Sequence, residues 1–194
     1  MEFDNSKSFS EYINQHTLLY GETNTKKTYY TALFVQFLVE SNFNPLNITI
    51  LDFAPKIITI NGLKVGGRIE DFYEKSNACR NLYFKGEIVP PRLSSTNLKE
   101  LRENARNNYS KTHQILEEYA QNPTSVLIIN DISIYLHLGK LKYLLKTIKK
   151  ARTFFGNTYY GTSINRNFTY EFSLKEKKLI EALVDKIDGS YSTD

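Results

Sequence analysis

At 194 residues, with 41% apolar and 24% charged side chains, the chain has the size and composition of one folded domain with a full core, and its net charge of +4 is spread without a polybasic block that would mark a dedicated nucleic-acid arm. A single cysteine, Cys79, excludes an internal disulfide and a multi-cysteine metal centre within one chain, and suits a reducing cytoplasm. No apolar run approaches the ~20 residues of a membrane helix, and the polar start Met1-Glu2-Phe3-Asp4-Asn5 does not read as a secretory signal.

In chain order, the first 16 residues are polar apart from Phe3, Phe9, Tyr12 and Ile13, and residues 8–14 are expected to form a short helix capped by Ser8 or Ser10. Residues 17–20 are a short apolar run ending at Gly21, which reads as a buried strand. Over 27–41, Tyr30, Leu33, Phe34, Phe37 and Leu38 keep helical spacing, and the pattern stops near Asn42, ahead of Pro45. Residues 48–53 form a nearly all-apolar second strand, of the kind found in parallel sheets covered on both faces. Residues 54–95 are an irregular insertion punctuated by Gly62, Gly66, Gly67 and Pro90-Pro91, with a helix expected at 69–79 and a strand at 82–84. Segments of this kind in compact domains serve as lids or binding loops.

The clearest helix is 97–121, where Asn97 and Glu100 resemble a capping pair. Residues 125–131 form the third strand, Ser-Val-Leu-Ile-Ile-Asn-Asp, four aliphatics closed by polar residues. One or two helices are expected over 132–152, broken at Gly139, with a basic side made by Lys140, Lys142, Lys146, Lys149, Lys150 and Arg152. A fourth strand is expected at 158–164, its end offering Thr162, Ser163, Asn165 and Arg166. Ser173 and Glu176 have the spacing of a capping box that would open a last helix through about 187, and an edge strand is expected at 190–193.

The stretch Leu-Leu-Tyr-Gly-Glu-Thr-Asn-Thr-Lys-Lys-Thr, residues 18–28, is the organising feature. It resembles the phosphate-binding loop G-x-x-x-x-G-K-[ST], with Lys26 in place of the second glycine. In such a loop successive backbone N–H groups turn inward around phosphates, and the following helix adds its positive end. By that resemblance Gly21 permits the turn, Lys27 reaches the terminal phosphates, Thr28 ligates Mg²⁺, and Asn24, Thr25, Lys26 and Tyr29 complete the nucleotide contacts. Lys26 is the departure: a side chain there hampers close backbone approach and unusual dihedrals.

The third strand resembles the acidic metal-binding strand of the same proteins in one of two registers. Either Asn130 takes the metal position and Asp131 that of the general base, or Asp131 is itself the metal carboxylate. Asp52, at the end of the second strand, is a further catalytic candidate, or else a turn cap before Pro55. Arg92 and Arg68 are candidates for phosphate recognition or for surface ion pairs. His16, His113 and His137 lack metal-ligand spacing and read as surface or packing residues.

The alternation of elements predicts an α/β fold in three αβα layers around a mostly parallel sheet. With both motifs in order, the chain resembles a P-loop NTPase of recombinase-like, RecA-type layout. The resemblance implies a single domain that binds a nucleotide, with ATP first and Mg²⁺ as cofactor, acting as an ATPase or as a phosphoryl or nucleotidyl transferase through Lys27 and Asp131. The alternatives are a non-hydrolysing nucleotide- or phosphate-binding module, favoured by Lys26 and Asn130, and a nucleic-acid-associated ATPase using the basic 140–152 side. The expected partners are thus nucleotide, with nucleic acid and a homo-oligomer as further candidates and no membrane.

Overall fold

The computed structural model describes residues 2–4, 8–60, 62–164 and 167–194. Six parallel strands form the central sheet: β1 (His16–Gly21), β2 (Ile48–Asp52), β5 (Arg80–Leu82), β6 (Val126–Asn130), β7 (Thr153–Tyr159) and β8 (Gly189–Ser192), in the spatial order β5-β2-β6-β7-β1-β8. Every residue of β6 and β7 is buried, because helices cover both faces and leave no solvent side to demand polar alternation. Alternate residues feed two cores. Leu18, Leu51, Leu127, Ile129 and Phe154 face one side, while Leu19, Ile50, Ile128 and Phe155 face the other.

The second core is closed by α1 (Lys27–Glu40), which packs Ala32, Phe34, Val35 and Leu38 inward. The first is closed by α3 (Leu98–Gln121), α4 (Ile132–Leu136), α5 (Leu141–Ile148) and α6 (Tyr170–Val184). Asn97 caps α3, its Oδ1 accepting from Glu100 N at 3.0 Å, but the Glu100 carboxylate reaches back to Thr96 N at 2.8 Å rather than to Asn97. The α/β class, the three layers and the parallel sheet are as the sequence implies.

Parallel pairing with these registers brings the strand ends to one edge. Gly21 lies beside Tyr159, and Asp52 beside Asn130. Between β2 and α3 the chain adds a separate hairpin, β3 (Ile58–Ile60) with β4 (Leu63–Val65), then β5 and the short α2 (Pro91–Ser94).

Five expectations shift. The helix expected at 8–14 is a single 3₁₀ turn, Phe9–Tyr12, and that at 69–79 is two of them, Ile69–Asp71 and Glu74–Ala78. The strand expected at 82–84 is two residues earlier, as β5. The strand expected at 158–164 is β7, five residues earlier. Gly156 and Asn157, which look like turn residues, lie inside it: a Cβ at Gly156 would stand 3.0 Å from Ile132 Cδ1, so the glycine lets α4 close onto the sheet. The last helix starts at Tyr170, and Ser173 and Glu176 are buried within it rather than forming a capping box.

Candidate functional site

The loop after β1 is shaped by its backbone. At Gly21, where φ is 158°, a Cβ would stand 2.8 Å from both Thr193 Oγ1 and Asp194 Oδ1, so a larger residue would have to displace these side chains just past β8. The Glu22 carboxylate accepts from Thr23 N within the loop at 3.1 Å and, across from it, from Thr162 N, from Ser163 N at 3.0 Å and from Ser163 Oγ at 2.5 Å, pinning the loop to the turn after β7. Burial pushes the Glu22 carboxyl up, but these bonds outweigh it and hold the group below its ordinary range. Asn24 and Lys26 both adopt the left-handed region, with φ of 66° and 62°. For a non-glycine residue that costs ~1–2 kcal/mol.

Lys26 therefore holds a conformation natural to the motif's glycine, and its side chain is exposed rather than folded into the hollow. The amides of Lys26, Lys27 and Thr28 have no hydrogen-bond partner among the described residues. Lys27 lines the cavity beside the loop, and its Nζ donates to Glu22 O and, at 3.2 Å, to Thr25 Oγ1. Burial lowers the Lys27 ammonium to about 8, against the opposing pull of Asp131, Asp194 and Glu22.

Behind the loop, three amides and acids from adjacent strands interlock. Thr28 Oγ1 donates to Asn130 Oδ1 at 3.1 Å, and Asn157 Nδ2 donates to the same oxygen at 2.8 Å. Asn130 Nδ2 donates to Asp52 Oδ1 at 2.8 Å and to Gly67 O at 2.9 Å, so every polar atom of this buried amide is used. Asn157 also donates to Thr31 Oγ1 at 2.9 Å and accepts from Asp131 N at 3.0 Å. Nothing in the sequence singles it out, since residues 153–157 carry no clear helical or strand pattern.

Of the two registers considered for the third strand, Asn130 is the residue that meets Thr28. Asp131 follows in a left-handed conformation with φ of 59°, and its Oδ1 accepts from Ser133 Oγ at 2.6 Å. It lines the same cavity as Lys27 and Thr28, and burial raises its carboxyl above the ordinary range. Asp52 is not brought to that cavity. Its carboxylate accepts from Ala54 N at 3.2 Å and Ile69 N at 2.8 Å besides Asn130, burial lifts it to about 7, and it lines a neighbouring pocket with Arg68.

The wall opposite the loop is a buried ionic cluster. Arg92 of α2 is 4% exposed and Glu176 of α6 is 3% exposed, with Arg92 Nη2 3.0 Å from Glu176 Oε1. The other carboxylate oxygen stands 2.5 Å from Nε2 of His137, which follows α4. Arg92 Nη1 donates to Ser173 Oγ at 3.4 Å, and its guanidinium lies 4.8 Å over the Tyr159 ring. Burial pushes the Glu176 carboxyl up, but Arg92 and His137 outweigh it and hold the group below its ordinary range. Two expectations are thereby corrected. The Ser173–Glu176 spacing serves this cluster, and His137 is neither a surface nor a plain packing residue. Arg92 lines the cavity, yet both terminal nitrogens of its guanidinium are directed at α6.

On the loop's other side Tyr29 (40% exposed) meets Phe72 (46% exposed) edge-on, with ring centroids 6.0 Å apart, above an open hollow reaching Ile57 and Lys64. Thr162 and Ser163 serve Glu22, while Asn165 and Arg166 lie outside the described residues. Lys140, Lys142, Lys146, Lys149, Lys150 and Arg152 are exposed along and around α5. Among the described residues there is no cluster of three or more acidic, histidine or cysteine ligands, and no helix long and apolar enough to cross a membrane.

No protein-family model matches the chain, and no curated protein matches it. Among solved structures it is similar to the Hef helicase domain of Pyrococcus furiosus, at 9% identity and a TM-score of 0.42 over 95% of this chain. The likeness covers 36% of that chain, so this one spans about a third of its length.

Proposed function

We propose that the chain binds a magnesium-complexed nucleoside triphosphate, with ATP the first candidate, on the 21–28 loop. The observation that carries this reading is the backbone at Lys26. It is left-handed, with its side chain outside and three successive amides free to receive anionic oxygens. The N-terminal end of α1 adds its partial positive charge. In this reading Lys27 gives up its contacts to Glu22 O and Thr25 Oγ1 for the terminal phosphates. Gly21 gives the turn, Asn24 and Thr25 shape the cradle, and Tyr29 with Phe72 flanks the base.

The donor set suits Mg²⁺, which is commonly held by one or two carboxylates plus phosphates and keeps several waters. Here Asp131 is the carboxylate and the Thr28 hydroxyl, now donating to Asn130, is the neutral ligand. The metal would neutralise phosphate charge and orient the terminal group. A second reading, a module that binds nucleotide without turning it over, is favoured by Asn130, an uncharged amide beside Thr28.

Titrating the full chain with ATP, GTP and tripolyphosphate, each with and without Mg²⁺, tests the proposal through the melting temperature. Saturable stabilisation by the Mg²⁺ complexes is expected, since a ligand of the native state alone raises apparent stability. No shift with any of the three at millimolar concentration would remove the reading. Stabilisation without ADP formation would select the second one.

A further inference from the structure

His137 is a costly residue to place where it is. It is 3% exposed, lines the cavity beside Lys27 and Asp131, and has its Nε2 2.5 Å from Glu176 Oε2, an ionic contact outside hydrogen-bond geometry, while Nδ1 has no partner of either kind among the described residues. A buried polar group without a partner is destabilising and calls for an explanation. Arg92 already neutralises Glu176 at 3.0 Å, so the carboxylate does not need the imidazole for its own charge. The order of contacts, Arg92 to Glu176 to His137 to an unmatched ring nitrogen, is that of a carboxylate orienting an imidazole. In the neutral ring a proton on Nε2, toward Glu176, leaves the lone pair on Nδ1. Pro90, Pro91, Leu93 and Ile134 line the same cavity and give it an apolar side next to the ring.

From this arrangement we infer that the cavity is an acceptor site and that His137 is the proton acceptor of a phosphoryl transfer from nucleoside triphosphate to a hydroxyl, of water or of a small alcohol. The inference rests on the nucleotide reading of the loop. The O–H bond of the acceptor breaks and its proton passes to His137 Nδ1, while the acceptor oxygen bonds to the terminal phosphorus. The bridging P–O bond breaks, and its electron pair leaves on the nucleoside diphosphate beside Lys27. Glu176 and Arg92 are positioning residues: the first orients the ring and stabilises its charge once protonated, and the second holds the first.

Three measurements on the full chain test this. Calorimetry gives Mg²⁺-ATP affinity for wild type and His137→Ala. ADP and free phosphate are quantified separately, with and without a panel of short polyols. Imidazole is then added to His137→Ala. The expected result is affinity within about twofold of wild type and turnover at least ~100-fold lower, the scale of general base catalysis, recovered in part by imidazole. Phosphate equal to ADP identifies water as the acceptor, and ADP in excess identifies the alcohol.

If His137→Ala does not fold, the ring nitrogens of wild-type His137 are followed by NMR. A saturating non-hydrolysable triphosphate analogue moves them and ADP does not. Nucleotide binding with no ADP formed in any arm, turnover indifferent to His137→Ala, or ring signals indifferent to the analogue each overturns the inference and leaves nucleotide binding standing. Absence of nucleotide binding by wild type removes both.

Discussion

The two walls of the cavity are built by opposite means. The loop wall is backbone: two left-handed residues, three amides without partners and a lysine ammonium partly stripped of water. It is left poised, and an anion would complete it. The facing wall is side chain: Arg92, Glu176 and His137 from α2, α6 and the end of α4, with their charges matched inside the protein. The lesson is that one wall stores capacity for a ligand at some cost in stability, while the other holds the fold together and presents an imidazole with no hydrogen-bond partner among the described residues. Damage to one should read out in binding, and damage to the other in stability.

The largest effect expected is Arg92→Ala. It strands Glu176 at 3% exposure without its strongest countercharge, and unfolding by denaturant should become easier by about 3–5 kcal/mol. Adding Glu176→Gln should return part of that loss, since the orphan charge is then gone. Next is Lys27→Ala. Nucleotide affinity should drop by about 10- to 100-fold, as for a lost hydrogen bond to a charged group, while stability holds or rises because a desolvated ammonium is removed. If both variants lost stability alike and neither lost binding selectively, the contrast between the walls would not exist.

Lys26→Gly should be smaller and of opposite sign. Relieving a left-handed lysine should stabilise by about 1 kcal/mol and leave affinity equal or tighter. Lower stability in that variant would mean that Lys26 is held by contacts rather than strained by its backbone.

A further effect, read as a pH dependence, concerns Asp52, outside both walls. Its folded carboxyl is lifted to about 7 from an ordinary 3.8, so the native state holds the proton more tightly than the unfolded chain. Its contribution is fully present below pH 4 and is lost as pH rises through 7. Asp52→Asn should flatten the change in denaturation midpoint between pH 5 and pH 8, relative to wild type.

How much of this could be read in the sequence follows from the same contrast. The loop wall is contiguous: Gly21, Lys27 and Thr28 sit within eight residues, and their spacing is the geometry. The aliphatic run of β6 and the helical spacing of α1 and α3 are likewise local, and their boundaries hold to within a few residues. The facing wall joins positions 92, 137 and 176, which no local pattern links. Its one visible trace, Ser173 with Glu176, has the spacing of a helix cap and reads as one. Asn157 escaped for a related reason: asparagine after glycine signals a turn, whereas here the sheet buries both, and the amide bridges Asn130 and Asp131. What remained ambiguous, the register of Asn130 and Asp131, depends on which residue meets Thr28, a contact across 102 positions.

The central claim, that the amides of residues 26–28 and the Lys27 ammonium form an anion cradle, has a direct test in calorimetry of Mg²⁺-ATP binding at pH 8.5, run in two buffers of different ionisation heat. With the ammonium lowered to about 8, most of it is neutral at that pH, and an arriving phosphate favours the charged form. The account predicts 1:1 binding with uptake of a substantial fraction of a proton, which vanishes in Lys27→Met. Binding without proton uptake, or uptake that survives the substitution, would contradict it.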